Sequence, residues 1–289
     1  MPQAPDNFNL FESLMQIVRS LRGPEGCPWD KEQTHQTLTP YAIEEVYEFV
    51  EAIESKNDTL IKDELGDVLF QVALHAALAE ERGAFQIQDV IANICEKLVR
   101  RHPHVFSDVT VTGIDDVWKN WEEIKKNEKK NSPKKSAGPF DFPNHLPALQ
   151  RAHKIGVKSQ KLKFDWDSSD GVLKKVWEEI GELQDAKKEM DSKGQSHPGS
   201  IEYEAVEEEF GDVLFSLSQW ARHQSIEPEA ALRKANKKFE DRFNTMMDLV
   251  ARDNKNWDQM PDNEKEHYWA KAKVLVKTIS GLKSDSISS

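Results

Sequence analysis

Two groups of carboxylates share one layout in this chain. Glu44-Glu45-Val46-Tyr47-Glu48 is followed by Glu64-Leu65-Gly66-Asp67 and a Val-Leu-Phe tail. Glu178-Glu179-Ile180-Gly181-Glu182 is followed by Glu209-Phe210-Gly211-Asp212 and the same tail. Like charges repel, so crowded carboxylates call for a cation to neutralise them. On a helix, Glu44, Glu45 and Glu48 lie on one face, and Glu64 and Asp67 share a face of the next. A short turn makes two such helices antiparallel neighbours, and their carboxylates then converge across the seam. Gly66 removes a side chain there, which lets a helix or a ligand come close. An all-oxygen donor set without Cys or an obligatory His suits a hard cation, Mg²⁺ or Mn²⁺.

A single Glu-Glu-x-x-Glu face on a solvated helix needs no metal. The duplication argues for one, because the acids keep register across two halves whose other residues have drifted. The repeat also carries cations and aromatics. Lys97 and Arg101 lie four apart, and Lys238 and Arg242 match them in the second half. Trp121 and Lys125 are matched by Trp269 and Lys273. Lys and Arg supply charge for phosphates. A Trp four residues before a Lys can stack on a base while the Lys reaches a phosphate. The alternative is that both tryptophans are core anchors and the cations solvate helix ends. Together with the acids, the set describes a nucleotide: metal, phosphates and base.

The periodicity of the elements that must position these residues is helical almost throughout. Helices are expected over Phe8–Arg22, Leu38–Glu54, Thr59–Arg82, Ile87–Arg101 and Ile114–Lys130. In the second half they are expected over Ala148–Lys158, Ser169–Asp191, Ile201–Gln224, Pro228–Arg252 and Asp262–Ile279. Ile43, Val46, Val50 and Ile53 form the apolar stripe of the first acidic helix. Val109-Thr110-Val111 is the one strand candidate. Between the acidic helices lies a tight turn, Ser55 to Asp58, in the first half and a longer loop, Ser192 to Ser200, in the second. The domains are therefore read as residues 8–130 and 148–280. A Pro- and Lys-rich linker, 131–147, joins them, and a frayed tail, 281–289, follows.

At 289 residues the chain suits two domains, and a net charge of -12 disfavours direct nucleic-acid binding. Cys27 and Cys95 stand far apart and build no disulfide framework. The N-terminus lacks a signal-peptide pattern, and the apolar run Val68–Ala79 is too short to span a bilayer. A soluble, cytoplasmic protein without a membrane partner is expected. No P-loop or Gly-x-Ser-x-Gly elbow occurs.

At these residues the chain resembles the MazG-type nucleoside triphosphate pyrophosphohydrolases, marked by Glu-Glu-x-x-Glu followed by Glu-x-x-Asp on paired helices. Cys27-Pro28-Trp29-Asp30 and Arg101-His102-Pro103-His104-Val105-Phe106 resemble the first domain of two-domain members. The resemblance implies an all-α fold of tandem domains whose paired helices complete four-helix bundles in a homodimer. It implies Mg²⁺-dependent cleavage of nucleoside triphosphates to monophosphate and pyrophosphate, in house-cleaning or control of nucleotide pools. It makes Glu45, Glu48, Glu64 and Asp67 metal ligands in the first domain, and Glu179, Glu182, Glu209 and Asp212 in the second. Glu44, Glu178 and Glu208 would bind or orient the attacking water. The second half lacks the two first-domain segments and has Phe164-Asp165-Trp166-Asp167 instead. The resemblance makes the second domain the more productive. Two rival readings remain: a di-iron bundle using Glu32/His35 and Glu264/His267, and a non-catalytic helical module with a decayed site.

Overall fold

The computed structural model of the protein describes residues 2–130, 138–194 and 196–285. Among these residues there are twelve α-helices, one 3₁₀ turn and no strand. The chain divides into two compact units, Met1–Lys134 and Lys135–Ser289. Of the expected linker, residues 131–137 lie outside the described residues and residues 138–147 are non-helical.

The first unit contains α1 (Phe11–Arg22), α2 (Pro28–Glu32), α3 (Thr39–Ser55), α4 (Asp58–Glu81), α5 (Ile87–Arg101), α6 (Pro103–Phe106) and α7 (Ile114–Lys130). The second contains α8 (Ala148–Lys161), α9 (Ser169–Lys193), α10 (Ile201–His223), α11 (Pro228–Arg252), the 3₁₀ turn (Trp257–Gln259) and α12 (Asp262–Asp285). Local chemistry sets many of these ends. The Asn57 side chain accepts from the backbone N–H of Thr59 and Leu60 and starts α4. Ser168 and Ser200 do the same for α9 and α10. Pro228 opens α11, where its missing N–H costs nothing. Gly83, with φ +64°, follows α4 in the left-handed region that favours glycine.

Several expectations change. Val109 to Val111 is irregular backbone, since no second strand exists among the described residues to satisfy its polar groups. The short helices α2 and α6 each begin at a proline and are too brief to show a period. α12 continues through Gly281 to Asp285, into the segment expected as a tail; residues 286–289 lie outside the described residues.

In the first unit, Met15 and Val18 of α1 pack on Ala73, Leu74, Ala76, Ala77 and Leu78 of α4, with Leu38 and Ile87 closing the cluster. The alanines make α4 slim there and let α1 come close. In the second, α8 lies on α10, and Met246 and Val250 of α11 pack with Met260, Tyr268 and Ala272. Most of the apolar stripe of α3 is left uncovered by the described residues of its own unit. Ile43, Val46 and Ile53 are each 48% exposed, and Leu60, Leu65, Leu69 and Val72 of α4 are exposed as well. Phe210, Leu214 and Leu217 of α10 repeat the pattern. No helix among the described residues is long and apolar enough to cross a membrane.

Candidate active site

In the first unit α3 and α4 run side by side, joined by a turn in which Lys56 takes a left-handed φ of 57°. One carboxylate oxygen from each of Glu45, Glu48 and Glu64 lies within 4.8 Å of the others. Asp67 stands outside that triple, yet its charge acts on both Glu45 and Glu64. Partial burial pushes the Glu45 carboxyl up; Asp67 and Glu48 add to it, and a hydrogen bond with Gln71 partly offsets them. Glu64 is pushed up by burial first, then by Glu48, Asp67 and Asp63. Two carboxyls held above their ordinary range by partial burial and then by like charges, beside acceptor-only oxygens, make a donor set that fits a hard divalent cation.

The second unit builds the same seam from α9 and α10. Here Glu179, Glu209 and Asp212 converge within 4.8 Å, and Glu179 is buried. Glu182 lies outside this triple but hydrogen-bonds to Glu179; that contact, then burial, raises its carboxyl. The triples overlap at equivalent places, Glu45 with Glu179 and Glu64 with Glu209. They differ in whether Glu48 or Asp212 supplies the third oxygen.

The second seam also carries a cation of its own. Lys175 Nζ lies 2.7 Å from Glu178 and 2.8 Å from Glu179. These contacts raise the lysine further. Four residues before Glu45, where Lys175 stands before Glu179, the first unit has Tyr41. Sequence reasoning overlooked Lys175, although a Lys one turn before Glu179 is a readable pairing signal. It also overlooked Gln71, a buried polar side chain one turn beyond Asp67. Glu44 and Glu208 are exposed on the same helices, outside both triples. Gly66 and Gly211 face open space: a Cβ at either meets no atom within 4 Å. Close helix approach is thus not the role of Gly66 within this chain.

Lys97, Arg101 and Trp121 come together. With Trp118 and His102 they line a cavity of about 310 Å³ between α5 and α7. Lys125 Nζ sits 4.2 Å from the Trp121 ring centroid. None of the acidic candidates lines this cavity. In the second unit Trp269 instead packs on the core cluster, 5.2 Å from the Phe239 ring. Lys238 and Lys273 are exposed, and Arg242 is half-buried, its Nε without a hydrogen-bond partner among the described residues. The cavity is thus built in the first unit, while Trp269 serves as a core anchor in its own.

Another cavity of about 310 Å³ lies in the second unit beside Gly156, Trp166 and the Phe164 ring. Asp165 there receives both Nη groups of Arg222, at 2.9 and 2.6 Å, with His223 at 3.1 Å. Burial alone would raise the Asp165 carboxyl; Arg222 and His223 outweigh it and bring it down to about 2. The di-iron spacing fails at its first motif, since α2 ends at Glu32 and His35 lies beyond it, stacked on His75.

Comparison with known proteins accords with this geometry. The sequence pattern of the "MazG nucleotide pyrophosphohydrolase domain" matches residues 33–106 and 168–247, the two stretches that hold the acidic helix pairs. A Thermotoga maritima protein named nucleoside triphosphate pyrophosphohydrolase/pyrophosphatase MazG is 46% identical over 91% of this chain and 96% of its own. The Escherichia coli K12 nucleoside triphosphate pyrophosphohydrolase is 42% identical over 84% of this chain and 89% of its own. A Mycolicibacterium smegmatis protein of the same name is 40% identical over 44% of this chain and 40% of its own. With the family pattern present in both units and relatives similar over most of the length, the chain belongs to the MazG nucleotide pyrophosphohydrolase family.

Proposed function

We infer that this protein hydrolyses nucleoside triphosphates, ribo- and deoxyribo-, to the monophosphate and pyrophosphate with a divalent cation. The observation that carries this reading is the convergence of carboxylates at equivalent places on two helix pairs of a MazG-family chain. Relatives named nucleoside triphosphate pyrophosphohydrolase support the substrate class.

Glu45, Glu48, Glu64 and Asp67 would hold a cation in the first unit; Glu179, Glu182, Glu209 and Asp212 would do so in the second. Mg²⁺ is the leading candidate and Mn²⁺ the second. When bound, such an ion neutralises phosphate charge and lowers the pKa of a nearby water. The exposed carboxylates Glu44, Glu178 and Glu208 are the groups available to take the water's proton. The attack falls on the α-phosphorus, and pyrophosphate leaves with its charge held by lysine and arginine: Lys97, Arg101 and Lys125, or Lys238, Arg242 and Lys273. Trp121, which lines the first unit's cavity, offers a face to the base; Trp269 is held in the core of its own unit. The chemistry does not involve the base, which permits a broad range of nucleotides in house-cleaning or pool control.

The bare apolar faces of α3, α4 and α10 support a homodimer in which a second copy completes four-helix bundles. A soluble protein of the cytoplasm fits the composition. Incubation with each NTP and dNTP plus Mg²⁺, followed by chromatography, tests the reaction. Monophosphate and pyrophosphate are expected; diphosphate and orthophosphate would refute attack at the α-phosphorus.

A further inference from the structure

Arg101, which lines the basic cavity of the first unit, is paired with an anion from its own chain. Glu128, near the end of α7, accepts from Arg101 Nε at 3.2 Å and Nη2 at 2.6 Å. Its other oxygen accepts from Arg100 Nε at 2.9 Å, with Arg100 Nη2 at 2.8 Å. Arg101 first and Arg100 second bring the Glu128 carboxyl down to about 2. The Arg101 and Glu128 side chains are only 19% and 24% exposed, so this is not the solvated surface pair that contributes little. A carboxylate bound through two N–H groups uses the same guanidinium donors that a phosphate would use.

The second unit supplies an internal control. Glu128 stands seven residues after Trp121; seven residues after Trp269 stands Val276. Arg100 is replaced there by Asp241, and Arg242, the counterpart of Arg101, keeps a buried Nε without a hydrogen-bond partner among the described residues. Among the described residues, the carboxylate clamp is found in the first unit and not at the matching place in the second.

We propose that Glu128 is an internal phosphate mimic: it occupies Arg101 in the nucleotide-free first unit, and a polyphosphate must displace it to bind. The proposal rests on the reading of the Lys97/Arg101/Trp121 cavity as a phosphate site. The ligand class is a polyphosphate anion; a nucleoside without phosphates cannot compete for the guanidinium. A simple strut between α5 and α7 would behave oppositely, because its loss loosens the cavity and weakens binding.

Hydrogen exchange of peptides from residues 87–101, in the full chain titrated with inorganic triphosphate and Mg²⁺, reads this site apart from the second unit. Glu128→Gln and Glu128→Val are expected to move the protection midpoint to about fivefold to tenfold lower triphosphate, the scale of one partly covered charge pair. Adenosine should leave the protection unchanged. Arg101→Ala tests the underlying reading: it should raise the midpoint, and if it leaves the parent's midpoint unaltered the cavity is no phosphate site. If Arg101→Ala weakens binding while both Glu128 variants bind no tighter than the parent, Glu128 is a strut and the proposal is overturned with the phosphate site intact.

Discussion

Asp165 shows how one carboxylate ties a unit together. It lies in the loop between α8 and α9 and grips Arg222 and His223 on α10; its side chain is 12% exposed and that of Arg222 is 6%. Its carboxyl falls from an ordinary 3.8 to about 2. A depressed acid stabilises the fold above its unfolded pKa, and that contribution is lost as pH falls through the folded value. The second unit should therefore lose stability between about pH 4 and pH 2 as Asp165 protonates. Asp165→Asn leaves the Arg222 charge buried without a counter-ion and should cost roughly 3 kcal/mol at neutral pH. It should also flatten that acid limb. Urea unfolding of both forms at pH 7 and pH 3 checks this; an unchanged limb in the variant would assign the acid loss to other carboxylates. The residue scale is also where the sequence was least legible. Lys175 and Gln71 bear directly on the acids, but a lysine amid 31% charged residues, or a glutamine in an apolar run, carries no label of what it faces.

Helices were the most legible level, because the apolar period and the caps agree along each one. Ile87–Arg101, Ile114–Lys130 and Pro228–Arg252 match the sequence boundaries at both ends. α2 and α6 escaped because four or five residues cannot display a 3.6-residue period. Burial was harder to read than helicity. Ile43, Val46 and Ile53 repeat as a core stripe does, yet the pattern says only that something apolar should cover them. Close packing has its own local signature, and α8 carries it at Gly156. A Cβ there would lie 1.8 Å from Gln219 Oε1 and 2.5 Å from Arg222 Nε. Gln219 is fully buried and donates to the Ala152 carbonyl at 2.8 Å, so it cannot swing aside cheaply. Gly156→Ala, which would favour an isolated helix by about 1 kcal/mol, should instead destabilise the second unit by about 1–3 kcal/mol. Thermal unfolding checks the sign, and a stabilised variant would mean that α8 and α10 are less closely held.

The whole molecule is one duplicated plan with two different outcomes. Both units keep the acid seam, but the first pairs Glu128 with Arg101 and the second adds Lys175 to its acids. The connection between the acidic helices is tight in the first and longer in the second, the unit we propose as the more productive. Glu182→Gln or Asp212→Asn should therefore lower turnover by about 10²-fold or more, the scale of a lost charge-stabilising group. Glu48→Gln should lower it less. Steady-state rates on dGTP, with circular dichroism to verify helicity, decide the ranking; a larger loss in Glu48→Gln would make the first unit the main catalyst.

Lys175 also bears on life without metal. Its ammonium stays among Glu178 and Glu179 whatever the supply of divalent ions, so the α9–α10 seam keeps one built-in counter-charge under chelation. The α3–α4 seam has Tyr41 in that place; there the Gln71 hydrogen bond relieves Glu45 in part, while Glu64 faces its neighbours' charge. Metal starvation should then loosen the two halves unequally. In EDTA, limited proteolysis should nick the first seam, near the Ser55 to Asp58 turn, before it reaches α9, and Mg²⁺ should reverse the preference. Lys175→Met should remove the difference, exposing α9 to the protease as early as α3 and leaving both seams dependent on ions from outside.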